Sequence, residues 1–147
     1  MFGFGFRRVA DAEQKYPVMH TEAEWRRLLN PAAFQVLRQE GTERPFTSPL
    51  NAEHRPGIFH CAGCNWPVFS SKNKFESGTG WPSFDRPLNG QAVLTTRDTT
   101  FGMVRTEVHC AHCGGHLGHV FDDGPIMTTG KRFCMNGVAM TFEPRPV

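Results

Sequence analysis

From about residue 57 onward, apolar and polar positions alternate in short runs. In "MVRTEVH" (103–109), Val104, Thr106 and Val108 fall on one side, and Arg105, Glu107 and His109 on the other. "VAMTFE" (138–143) likewise groups Val138, Met140 and Phe142. Successive side chains of a strand point to opposite faces, so a period of two predicts half-buried strands. "GIFHC", "WPVFS", "AVLTT" and "GHVF" are further short β-type runs, bounded by Gly, Pro, Asn and Asp. Strands at this spacing, with no helices between them, predict an antiparallel β body over about 57–147.

The first third has a different texture. "TEAE" (21–24) is a capping box, with Thr21 and Glu24 able to satisfy each other's backbone N–H, and "WRRLL" follows it. Asn30-Pro31 supplies a second cap with proline at the first helical position, opening a helix over roughly 31–40. Phe34, Val36 and Leu37 form its apolar side, and Gly41 is expected to stop it. Residues 16–56 therefore read as a short two-helix arm leading into the β body, all within one domain of 16–147.

Composition narrows the class. The 147 residues are 39% hydrophobic and 12% aromatic, with thirteen Phe, which suits a folded chain with one adequate core. A net charge of +2 gives no electrostatic footprint for nucleic acid, and no apolar stretch is long enough for a transmembrane helix. "MFGFGFRR" puts its Arg pair after a short Phe/Gly run, the reverse of a secretory signal. Residues 1–15 are expected to be a mobile tail on a cytoplasmic protein.

Four of the five cysteines form two C-x-x-C pairs, "HCAGC" and "HCAHC". In a reducing compartment such pairs hold metal more often than they form disulfides, and four thiolates suit one tetrahedral zinc ion. Cys61, Cys64, Cys110 and Cys113 are the expected ligands, with His60, His109 and His112 as neighbours able to substitute for one. Four thiolates leave no position for water, so the metal is expected to be structural. The stretch from Asn65 to His109 far exceeds the roughly 15–20 residues of a compact zinc ribbon, so the metal would tie together the ends of an inserted sheet. A base-deaminase pattern is not met, since His60 rather than Pro precedes Cys61.

Cys134, in "KRFCMNG", is the fifth cysteine. A straight strand through 137 would bury it beside Val138, Met140 and Phe142, whereas a bulge at Gly137 would turn it toward a cleft. His116 and His119 lie in "HLGHVFDDGP" just before it, and a thiol beside an imidazole can act as a nucleophile. Trp81, in "SGTGWPSF", sits on a Gly-bracketed loop that can face a pocket.

The order "CAGC", "SGTGWPSF", "CAHCGGHLGHVFDDGP", "RFCMNG" resembles the methionine-R-sulfoxide reductases of the B type, from about Tyr16 to Glu143. The resemblance implies a mainly β fold of two antiparallel sheets stapled by one zinc ion. It implies reduction of methionine-R-sulfoxide in oxidised proteins. Cys134 corresponds to the nucleophile, His119 to the proton donor (as an imidazolium), His116 to a neighbour that sets its protonation, and Asn136 to a polar residue beside the thiol. Trp81 corresponds to the aromatic that packs on the substrate methyl, with Phe84 beside it in the same motif. Many relatives carry a resolving cysteine where this chain has Thr79, so a one-cysteine cycle is expected. A sulfenic acid on Cys134 would be reduced by thioredoxin, or by glutathione or glutaredoxin, in a monomeric enzyme. Gly137, where relatives often have Ser, is expected to loosen the local backbone. The competing reading is a non-catalytic zinc-stapled β binding module, which has no need of Cys134, His119 and Trp81 together.

Overall fold

A computed structural model describes residues 15–147, Thr100 by its backbone alone. The tail expected over 1–15 lies, except for Lys15, outside the described residues.

Two capped helices precede the strands. In α1 (Glu22–Leu28), the Thr21 hydroxyl accepts from the Glu24 N–H at 3.2 Å and the Glu24 carboxylate accepts from the Thr21 N–H at 2.7 Å. In α2 (Pro31–Gln39), the Asn30 side-chain oxygen accepts from the Ala33 N–H at 2.9 Å. The left-handed residue after α2 is Glu40 (φ 59°) rather than Gly41. Gly41 serves close approach instead, because a Cβ there would press on Gln35 at 3.0–3.1 Å.

The β body holds two antiparallel sheets, as the alternation predicts. β1 (Gly57–Cys61), β2 (Pro67–Ser70) and β9 (Met140–Pro144) form the smaller, in the order β2-β1-β9. The larger has the order β3-β4-β8-β7-β6-β5, from β3 (Lys74–Phe75), β4 (Ser83–Phe84), β5 (Val93–Asp98), β6 (Arg105–Cys110), β7 (His116–Phe121) and β8 (Arg132–Met135). Phe59, Val68 and Phe69 from the smaller sheet meet Phe84, Val108 and Met135 from the larger, all fully buried. Trp25, Phe34, Val36 and Leu37 of the helices complete the same core.

Of the two courses open to residues 134–140 the straight strand is not taken, and the expectations for Gly137 and for the polar side of β6 are corrected. "CMNGVAM" is not one strand: the chain leaves the larger sheet at Met135, turns through Gly137–Ala139 and enters the smaller sheet at Met140. Gly137 is buried where a Cβ would lie 2.0 Å from the Ser48 hydroxyl. Its lack of a side chain admits Ser48 and tightens this crossing rather than loosening it. The polar side of β6 is also not a solvent face, since Glu107 is 0% and His109 3% exposed. The arm lies across it, and Tyr16, His20, Leu37 and Arg38 share a small cavity with His109 and His116.

No helix among the described residues is long and apolar enough to cross a membrane.

Candidate active site

Strand register assembles the site. Across the larger sheet, Thr96, Glu107, His119, Cys134 and Ser83 are successive antiparallel partners. Directly opposed residues share a face, with Cβ atoms about 4.5–5.5 Å apart, so Cys134 and His119 are neighbours by register. The break at Gly137–Ala139 separates Cys134 from the strand of Met140, and register does the rest. The irregularity that matters is in β7: Val108 faces Gly118 and His109 faces His116, leaving Leu117 as an extra residue. This bulge puts His116 and His119, three apart in sequence, on one face, with ring centroids 5.4 Å apart.

Cys134 and His119 line a cavity of about 220 Å³ together with Thr79, Trp81, Arg105, Phe121, Arg132 and Asn136. His119 Nε2 donates to Asp98 Oδ2 at 2.9 Å, and Arg105 reaches the same oxygen at 3.4 Å. That contact fixes the neutral ring with its proton on Nε2, so Nδ1 is the nitrogen able to accept another. His116 Nδ1 donates to the fully buried Glu107 at 2.6 Å. Burial pulls the His119 pKa below its ordinary 6.5; Asp98 opposes this, while His116 and Arg105 reinforce it. Burial also pushes the Cys134 thiol above 9.0, against the pull of Arg132 and of a Thr79 hydrogen bond. Both shifts disfavour the charged forms of this pair.

The wall opposite is held by the arm. Glu43 gives its N–H to the Asn136 side chain at 2.9 Å, receives the Trp81 indole N–H on its carbonyl at 3.0 Å, and accepts the Val138 N–H on its carboxylate at 2.8 Å. Asn136 also donates from Nδ2 to the Leu117 carbonyl at 3.1 Å, tying the crossing to the β7 bulge. Arg132 is held by a two-pronged pair with Asp123 at 2.9 and 3.2 Å and lies over the Phe121 ring.

Of the residues singled out in the sequence, Cys134, His119, Trp81 and Asn136 line the cavity, and His116 lies behind it. Phe84 does not: it is 0% exposed, stacked on Phe69 at 4.4 Å and edge-on to Phe59 at 5.0 Å in the core between the sheets. Period two explains this, because Phe84 follows Ser83, the residue opposite Cys134, and must face the other way. Asp98, Glu107 and Glu43 were not foreseen. Only Glu107 left a trace, as the polar partner of His109 in the alternation of β6.

The four remaining cysteines form a second constellation. Their sulfurs all lie within 4.8 Å of one another, with Cys61–Cys113 at 3.7 Å and Cys64–Cys110 at 3.5 Å. A tetrahedral ion with metal–sulfur bonds of about 2.3 Å requires edges of about 3.8 Å, close to both separations. The four residues can therefore hold one metal ion. The Gly63 and His112 N–H groups donate to Cys61 and Cys110 at 3.3 and 3.4 Å, as thiolate ligands require. Arg38 of α2 donates to the Cys113 carbonyl at 3.0 Å. His60 instead contacts Glu143 and the Asn65 carbonyl, and His112 stacks on Trp66 at 4.1 Å. His109 bonds Thr96 at 2.8 Å, so no histidine joins the sulfur cluster.

Comparison with known proteins agrees with this geometry. The SelR domain family matches residues 29–144. A Pseudomonas putida (strain W619) protein named peptide methionine sulfoxide reductase MsrB is 54% identical over 125 residues, covering 85% of this chain and 93% of that relative. Proteins of the same name from Agrobacterium fabrum and Thiobacillus denitrificans are each 52% identical, over 86% and 85% of this chain and 93% and 94% of their own. With the family's domain spanning most of its length and relatives of this similarity matched nearly end to end, the chain belongs to the methionine-R-sulfoxide reductase B (SelR) family.

Proposed function

We propose that the protein reduces the R epimer of methionine sulfoxide in oxidised proteins to methionine, with Cys134 as the nucleophile. The observation that carries this reading is the cross-strand pair of Cys134 and His119 in a cavity walled by Trp81. The relatives' names support the activity, and membership of the family supports the R hand.

The chemistry follows from the protonation state of the pair. A sulfoxide oxygen is a poor leaving group until it is protonated, and the Cys134 thiol has one proton to give up. His119, its other nitrogen held by Asp98, accepts that proton on Nδ1 and passes it to the sulfoxide oxygen as sulfur attacks sulfur. The S–O bond of the substrate and the transient S–S bond then break as the hydroxyl shifts to the Cys134 sulfur, which is left as a sulfenic acid, and methionine leaves as the thioether. In net terms one oxygen atom moves from the substrate to Cys134, and the thiol's own proton ends on that oxygen, so the step balances without a further reactant. Trp81 packs the apolar methyl while polar groups take the oxygen, and the chain of the residue exits through the mouth. Three substituents with three distinct places select one hand at sulfur.

Thr79 beside the thiol offers no second sulfur, and among the described residues no other cysteine lines the cavity. An external thiol therefore converts Cys134–SOH to a mixed disulfide and water, and a second thiol releases Cys134. Thioredoxin, glutathione and glutaredoxin have this chemistry. Zinc at Cys61, Cys64, Cys110 and Cys113 supplies structural cross-linking when bound. The protein works as a monomer in the cytoplasm, a reducing compartment that keeps these sulfurs available.

The test is turnover of separated R and S epimers of a methionine sulfoxide peptide with dithiothreitol. The proposal expects reduction of the R form alone, abolished in Cys134→Ser with the fold intact. Turnover of the S form, or an active Cys134→Ser protein, would refute it.

A further inference from the structure

Single exposed apolar side chains are ordinary on a protein surface, but here they gather in one place. β5 and β6 are joined by residues 99–104, and β7 and β8 by 122–131. Asp98 pairs with Arg105 and Phe121 with Arg132, so both loops leave the same end of the sheet, the end where Arg105, Phe121 and Arg132 line the cavity. On these loops Phe101 is 87% exposed, Val104 65%, Ile126 88% and Met127 91%, with Met103 at 48%. Across the mouth, Phe46 is 70% exposed, its N–H donating to the Gly80 carbonyl at 2.8 Å next to Trp81.

The backbone reinforces the pattern. Phe46 and Phe101 have φ of 65° and 59°, in the left-handed region, a costly conformation for a residue with a side chain. Neither ring recovers that cost by burial in the core. Aromatic rings held outward in a disfavoured conformation at the rim of a reactive cavity point to contact with something that is not this fold.

The size of the cavity identifies what that is. About 220 Å³ accommodates one side chain, so only the oxidised residue enters. Its neighbours along an extended peptide lie about 3.3 Å further on per residue and must rest on the rim. We propose that Phe46, Phe101, Met103, Val104, Ile126 and Met127 form a docking collar for the residues flanking the oxidised methionine, selecting polypeptide segments whose flanking side chains are apolar. This rests on the reductase reading above and adds to it the recognition surface and the sequence context. Two methionines and two phenylalanines give the collar soft, repackable contacts, suited to many sequences rather than one.

The experiment compares three substrates with dithiothreitol as reductant: N-acetyl-methionine-R-sulfoxide amide, a peptide with leucine on both sides of the sulfoxide, and one with serine on both sides. Partial burial of two leucines on the rim predicts that the native protein shows a KM about tenfold lower or better for the leucine peptide. In Phe101→Ser/Ile126→Ser/Met127→Ser that advantage should shrink to about twofold, with kcat and the amide's kcat/KM unchanged. These positions are exposed, so the thermal midpoint should stay within a few degrees. Equal KM values in the native protein, or an equal loss on the amide and both peptides, would overturn the proposal. So would a loss that appears only when the same substrates are assayed with thioredoxin in place of dithiothreitol, which would assign the collar to the reductant. A native dimer that the triple variant abolishes would make it a self-interface and also overturn it. Absence of turnover of every substrate would sink the reductase reading as well, whereas turnover without flank preference sinks this inference alone.

Discussion

Gly118 lies in β7 beside His119 and faces Met135 across the β7–β8 ladder. A Cβ on Gly118 would stand 2.1 Å from the Cys134 carbonyl oxygen and 3.0 Å from the Met135 Cα. Both are backbone atoms, so no side chain can swing aside. A carbon–oxygen contact relaxes only near about 3.3 Å, so Gly118→Ala must part the two strands by about 1.2 Å. Ladder bonds of about 2.9 Å then stretch to about 4 Å and cease to be hydrogen bonds. Two such losses, with buried groups left short of partners, come to about 2–4 kcal/mol. The same displacement separates Cys134 from His119, and an error of about 1 Å at reacting groups costs about 10²-fold in rate. Urea unfolding should report the stability loss and R-epimer turnover the drop in kcat/KM. Gly90→Ala, where no heavy atom lies within 4 Å, is the matched control and should be near neutral in both. A Gly118→Ala protein with native stability and activity within about threefold would refute the claim that β7–β8 register builds the site.

Because kcat/KM reports the free enzyme, the two shifts predict a plateau whose acid edge lies below pH 6.5 and whose alkaline edge lies above pH 9.0. Activity should fall below it as His119 takes a proton and above it as Cys134 loses one. A decline between pH 6 and 7 on the alkaline side would restore imidazolium as the acid. His119 also bears on stability: its folded pKa is lowered, so the unfolded chain binds the proton first and acidification below 6.5 should lower the unfolding midpoint. Stripping the metal with a chelator, or Cys113→Ser, should unfold the protein, since apparent zinc binding of about 10–16 kcal/mol matches or exceeds the usual net stability of a domain. Circular dichroism and a zinc-release dye should find loss of structure with one equivalent of zinc per chain. Phe84→Ala should destabilise by about 3–5 kcal/mol through a core cavity while leaving KM unchanged, which a substrate-contacting residue would not do.

The fold was largely legible because its signals are local. Thr21, Glu24 and Asn30 cap where their side-chain chemistry dictates, and alternation located β6 but not which of its faces is buried. The four metal-site cysteines were legible for a similar reason, since each C-x-x-C closes its own turn. What sequence could not carry was long-range register. Nothing local announces that Leu117 is an extra residue, yet that bulge brings His116 onto the face of His119 and Cys134. Phe84 was misplaced because a motif lists residues in order while a strand deals them to opposite faces. Gly137 suggests looseness in the sequence alone because its neighbour in space, Ser48, lies far away in the chain. Asp98 and Glu43 sit at element ends with no pattern around them, and their roles exist only once the sheet and the arm have met.

The most direct test of the account is the mass of the protein after a single turnover with R-sulfoxide peptide and no thiol present. The account predicts one equivalent of methionine peptide, one added oxygen located on Cys134, and the metal retained. Loss of two hydrogens in a disulfide involving Cys61, Cys64, Cys110 or Cys113, with the metal released, would contradict it.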